Sequence, residues 1–121
     1  MGIMKILFLI SAFILFPALT YAEMKYPYKA SSTRTQLIKK NYKLVKVGDS
    51  ELDVKHILSQ PDEITKQYEA KIKNPKHVGK AYWYIIQRNA SSGSVNDKGE
   101  ILVKIVFNLK GKVTHIHHWG F

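Results

Sequence analysis

Apolar and polar positions follow two different periods along this chain, and the change falls near Pro61. Upstream, Val54, Ile57 and Leu58 recur at i, i+3 and i+4, the spacing of one apolar stripe on a helix. The residues before them, Gly48-Asp49-Ser50-Glu51-Leu52-Asp53, read as a helix start. Asp49 or Ser50 can accept hydrogen bonds from first-turn amides, and Ser50 with Asp53 approximates a capping box. Glu51 and Asp53 also place negative charge at the positive end of the helix dipole. Pro61 stops this helix, because the residue before a proline is pushed out of the α region. Thr33 to Tyr42 predicts another short helix with Leu37, Ile38 and Tyr42 on one side, while Leu44 to Val47 reads as β-like. Glu23 to Ser32 shows no period and predicts an extended arm.

Downstream the period becomes two. Ile64, Tyr68, Ala70 and Ile72 share one parity and Glu63, Thr65, Gln67, Glu69 and Lys71 the other, as on a strand with one wet face. Asn74-Pro75 breaks that strand. Ala81 to Arg88 (AYWYIIQR) is dense in aromatic and β-branched residues and reads as a buried strand. After a polar loop from Asn89 to Gly99, the next strand puts Ile101, Val103, Ile105, Phe107 and Leu109 on one face. Lys110-Gly111 supplies a tight turn, and Lys112 to Trp119 returns as the last strand. The predicted fold class is α+β: one or two short N-terminal helices packed on an antiparallel three- to four-stranded β-meander, a two-layer sandwich. The predicted division is a signal peptide (1–22), an arm with a possible short helix (23–43) and a helix-plus-sheet domain (44–121).

The signal peptide rests on MGIMKILFLISAFILFPALTYA. Lys5 is its only charge, Ile6 to Phe16 is almost wholly apolar, and Thr20 and Ala22 offer small residues at −3 and −1. This is the three-part build of an export signal. The alternative, a retained anchor helix, needs ~20 apolar residues, more than stand before Pro17. Cleavage near Ala22 removes 22 of the 121 residues, leaving 99 and no transmembrane anchor, and places the protein in the periplasm or medium.

Composition narrows the function classes. With 45% apolar residues a core can form, and the absence of Cys excludes disulfides, a thiol nucleophile and a cysteine zinc site. The chain has 19 Lys and Arg against 9 acids, a formal +10. Loss of Lys5 leaves 18 against 9, about +9. In an exported protein the anionic partners within reach are acidic proteins, lipid headgroups, lipopolysaccharide and cell-wall polymers, with nucleic acid not expected. The Lys residues are spread from Lys25 to Lys112, which also suits a solvated surface.

The order Leu44-Val45-Lys46-Val47-Gly48-Asp49-Ser50, Val54, Leu58-Ser59-Gln60-Pro61-Asp62, Trp83-Tyr84, Ile105-Val106-Phe107 and Lys110-Gly111-Lys112-Val113 resembles the small exported bacterial domains of the beta-lactamase-inhibitor-like fold. Among these it is most similar to a family of periplasmic proteins of unknown function, with the small outer-membrane assembly lipoprotein as a more distant relative. The resemblance covers about Leu44 to Ile116. It implies an α+β fold and a habit of protein–protein contact, and it supplies no catalytic residue. Relatives often carry a cysteine and a glycine where Leu58 and Ser59 stand here, and the lipoprotein's lipid-bearing cysteine is replaced by Glu23.

Candidate chemistry is sparse. His115 and His117 project to one strand face and could share a metal, with His118 turned away. Two imidazoles fall short of the three or four ligands a stable site wants. No nucleophile elbow, zincin or phosphate loop occurs, and no cofactor motif, so no catalytic residue is assigned and a non-enzymatic protein is expected. The aromatics point elsewhere. Tyr82 and Tyr84 must face opposite to Trp83, and whichever parity escapes the helices would join His115, His117 and Trp119 in an interaction surface. The expected function is a protein-binding module of the cell envelope. The alternatives are a basic module for an anionic envelope component and a His-based metal-binding protein.

Overall fold

The computed structural model of the protein describes residues 25–89 and 99–121. The predicted signal peptide, and the part of the polar loop that holds Ser91, Ser92 and Ser94, lie outside the described residues.

The fold is α+β, two helices on an antiparallel sheet of five strands. Helix α1 (Ser32–Asn41) begins at Ser31, whose Oγ accepts a 3.1 Å hydrogen bond from the Arg34 amide. A 3-10 turn, Tyr42–Leu44, follows where a β-like stretch was expected. Only Val45 of that stretch is buried; Leu44 and Val47 are exposed. Gly48, at φ +97°, then turns the chain, a conformation that suits a residue without Cβ. Its amide donates to Val113 O and the Val113 amide donates back to Asp49 O, so the turn is stitched to the last strand.

Helix α2 (Glu51–Leu58) carries the capping box in full. The Asp53 amide donates to Ser50 Oγ at 3.1 Å and the Ser50 amide to Asp53 Oδ2 at 3.0 Å. The backbone amide and hydroxyl of Ser50 hold the Asp53 carboxyl below its ordinary pKa. The helix ends at Leu58, where Ser59 swings to φ 70° ahead of Pro61.

Strands β2 (Glu63–Tyr68), β3 (His77–Arg88), β4 (Ile101–Asn108) and β5 (Val113–Trp119) form the meander. The arm is more than an arm: Tyr28–Lys29 form β1, which pairs with Arg88 and Gln87 and so lies end to end with β2 along the same edge of β3. This short strand raises the count to five. The turn between β4 and β5 uses Gly111 at φ +73°, with its amide donating to Asn108 O.

Register defines the two faces. Ile64, Tyr82, Ile105 and Ile116 stand opposite one another across β2–β5, as do Tyr84, Val103 and His118 across β3–β5. Both helices pack on this side, through Ile38 of α1 and Val54 and Leu58 of α2, with Tyr82, Tyr84 and Phe107 as the largest core side chains. Tyr82 meets Phe107 edge-on, centroids 4.6 Å apart, a geometry aromatic quadrupoles favour. The helices are short and do not reach the outer strand, so Ile64 is 42% exposed despite having the predicted parity, and Tyr68, beyond a register shift after Gln67, is 53% exposed. The strand stops at Tyr68, leaving Ala70 and Ile72 outside it and exposed, and Leu109 likewise sits exposed in the β4–β5 turn. Among the described residues no helix is long and apolar enough to cross a membrane.

Candidate interaction surface

On the other side of the sheet two rows of side chains cross all four long strands. One runs Glu63, Trp83, Lys104, His117 and the next Thr65, Ala81, Val106, His115. Alternation makes these positions neighbours, and among the described residues no helix lies over them.

Trp83 anchors the first row. Its indole N–H donates to Thr65 Oγ1 at 2.8 Å, and two cations approach its ring, Lys104 Nζ at 4.6 Å and the Arg88 guanidinium at 5.7 Å. Such contacts are worth about 0.5–2 kcal/mol each as water is excluded. Arg88 is only 4% exposed, and its charge is answered twice: Nε donates to Glu100 Oε2 at 2.7 Å and Nη1 to Glu63 Oε1 at 3.3 Å. Burial alone would ease the proton off Arg88. The Glu100 bond and charge, with Tyr26 and Glu63, more than reverse that and raise its pKa. Arg88 is thus spent on structure.

Lys104 is placed differently. No carboxylate pairs with it among the described residues, its ammonium lies over the Trp83 face, and partial burial lowers its pKa. Beside it the imidazoles of His115 and His117 lie nearly parallel, 5° between planes and 5.9 Å between centroids. The His117 pKa is lowered, first by burial, then by the charges of Lys104 and His115. Trp119, 45% exposed, follows at 6.1 Å from His117. A shallow groove of about 470 Å³ runs along these residues, with Gln67 and Val78 at one wall, Val106 as floor and Lys104, His115 and His117 at the other side.

Four of the six residues predicted to form an interaction surface, Trp83, His115, His117 and Trp119, therefore share this face. Tyr82 and Tyr84 do not, and that expectation is corrected: both are buried under the helices. Tyr82 O–H donates to Glu51 Oε1, and Tyr84 O–H to Ser59 O at 2.8 Å. Burial pushes the Glu51 carboxyl up, but the Tyr82 and Lys80 donors and the lysine charges together hold it below its ordinary value. His118 turns to the helix face as predicted, against Tyr42 and Phe121.

As a metal site the pair is incomplete. Among the described residues no group of three His, Cys, Asp or Glu is gathered to hold an ion, and the neighbouring Lys104 ammonium repels a cation. Lys104 and the Arg88–Glu63–Glu100 cluster escaped the sequence reading. A signal for Lys104 existed, since it is the one charge within Ile101-Leu102-Val103-Lys104-Ile105-Val106-Phe107, on the parity opposite Val103, Ile105 and Phe107. No known family, curated protein or solved structure matches the chain.

Proposed function

We propose that this protein is an exported, non-enzymatic binding module of the cell envelope that holds another protein against the helix-free face of its sheet. The observation that carries this reading is the row Trp83–Lys104–His117, flanked by His115 and Trp119, standing on a four-strand platform that neither described helix covers. An aromatic residue braced by cations, next to a groove with an apolar floor, has the composition of a binding hot spot. A basic surface, about +9 after removal of the leader, would speed encounter with an acidic partner. The resemblance to beta-lactamase-inhibitor-like periplasmic domains supports the same reading, as does the export signal.

The test is site-specific photo-crosslinking in intact cells. A photoreactive residue at His115 should give a discrete adduct with an envelope protein, and one at Gln36, exposed on α1, should not. Equal adduct patterns at the two positions, or adducts with neither, would refute the assignment of this face.

A further inference from the structure

Most cations that the fold draws partly into the sheet or its joints are matched by an acid. Arg88 holds Glu63 and Glu100, Lys80 reaches Glu51 Oε1 at 3.1 Å, and Arg34 reaches Asp62 Oδ2 at 3.1 Å. Among the described residues two partly buried cations have none: Lys55 of α2, which lies over the Tyr82 ring on the helix side, and Lys104, which faces the groove. Removing a charge from water without a counter-charge costs free energy, which a bound anion would return. We propose that Lys104, with His115 and His117 beside it, receives a side-chain carboxylate from an acidic segment of the partner protein. This deepens the binding reading above and rests on it.

Three features select a carboxylate on a polypeptide. Glu63 and Glu100 are both consumed by Arg88, so among the described residues no carboxylate is left to pair with Lys104. Burial first, and then the charges of Lys104 and His115, lower the basicity of His117, so positive charge gathers at this point of the face. Among the residues lining the groove Lys104 is the single lysine or arginine, and it shares that lining with the apolar Val106 and Val78, which suits one carboxylate flanked by apolar side chains. An array of phosphates, as on lipopolysaccharide, would instead need several lysines on one open surface.

The probe is a fluorescein-labelled decapeptide of alternating Glu and Val, with an alternating Gln and Val peptide as its neutral counterpart, titrated by fluorescence anisotropy. The Glu peptide should bind at least about tenfold more tightly than the Gln peptide, the size of one charge-assisted hydrogen bond. K104Q should lose about the same factor, K104R should keep most of the affinity, and K40Q, which removes an equal charge from exposed α1, should change it less than about twofold. H117Q serves as a second variant and should weaken binding in the same direction. Thermal melts establish that each variant is folded. Equal binding of the two peptides, no binding of the Glu peptide, or equal losses for K104Q and K40Q would overturn the proposal. So would stronger competition from vesicles containing lipopolysaccharide than from free Glu peptide, which would reassign the groove to phosphate. If His115 still cross-links an envelope protein while K104Q leaves that adduct undiminished, the carboxylate proposal fails and the surface reading stands.

Discussion

Asp62 joins three parts of the fold through one oxygen, and its removal offers a quantitative test of how the helices are held to the sheet. Its Oδ2 accepts from Arg34 Nη2 at 3.1 Å and from the Ile85 amide at 2.7 Å, while its own amide donates to Trp83 O at 2.8 Å. Arg34 also donates to Ser59 Oγ and to Gln60 O, both at 2.9 Å, and so ties α1 to the end of α2. In Asp62→Ala the Ile85 amide, in a fully buried residue, loses its carboxylate acceptor, at a cost of about 2 kcal/mol. The Arg34 half is worth less, about 0.5–1 kcal/mol, because the Arg34 and Asp62 side chains are 24% and 13% exposed and water screens them. The expected loss is therefore about 3 kcal/mol, a large share of the roughly 5–15 kcal/mol that holds a small domain together. Urea unfolding of the wild type, Asp62→Ala, Arg34→Ala and the double variant would measure it, with the coupling energy isolating the ion pair. That coupling should be about 1 kcal/mol or less. A total loss below about 1 kcal/mol, or a coupling as large as the whole Asp62→Ala loss, would show that the amide of Ile85 is not the main beneficiary.

Further expectations follow from other positions. A Cβ at Gly79 would lie 1.9 Å from Phe107 O, so Gly79→Ala must part β3 from β4 there and should cost about 2–3 kcal/mol, seen as a lowered Tm. Phe107→Ala, at a core residue 1% exposed, should cost about 3–5 kcal/mol, whereas Trp119→Ala should stay within about 0.5 kcal/mol in the same melts. Because folding lowers the His117 pKa, the folded state disfavours its charged form. Its contribution to stability is present above its ordinary pKa of 6.5 and declines as pH falls through that value toward the folded one. His117→Gln should flatten that part of the stability–pH curve, and an unchanged slope would count against the placement of Lys104 and His115. Ser50→Ala, which removes half of the α2 capping box, should cost about 1 kcal/mol in urea unfolding.

What was legible in the chain was what depends on near neighbours. The Ser50–Asp53 box is closed within four residues, and strand parity needs only the alternation of adjacent side chains, so α2, the two central strands and the opposite facing of Trp83 and Tyr82 could be read directly. Parity assigns a residue to a face and says nothing of what covers it. Ile64 therefore kept its predicted side and lost its predicted burial, because α1 and α2 end before reaching β2, while a register shift after Gln67 broke the alternation for Tyr68. The same gap left open which of Tyr82 and Trp83 would be covered. Links between distant residues were invisible: nothing near Asp62 in the chain marks its partner Arg34, 28 positions away. Strand β1 escaped because two residues carry too little pattern to be recognised without their partner.

The two edges of the sheet are defended by different means. One edge of β3 is occupied by two short strands placed end to end, and β2 carries Glu63 and Lys66 and meets β3 through a register shift at Gln67–Tyr68. The opposite margin, β5, contains neither proline nor a Lys, Arg, Asp or Glu, but its pairing shifts between His115 and Val113, and Val113 is already bonded on its far side to the turn at Gly48 and Asp49. Charges, bulges and interruptions are what stop strands from docking on one another. Each margin thus offers an intruding strand a broken template, so crowded molecules should stay apart instead of zipping into fibrils.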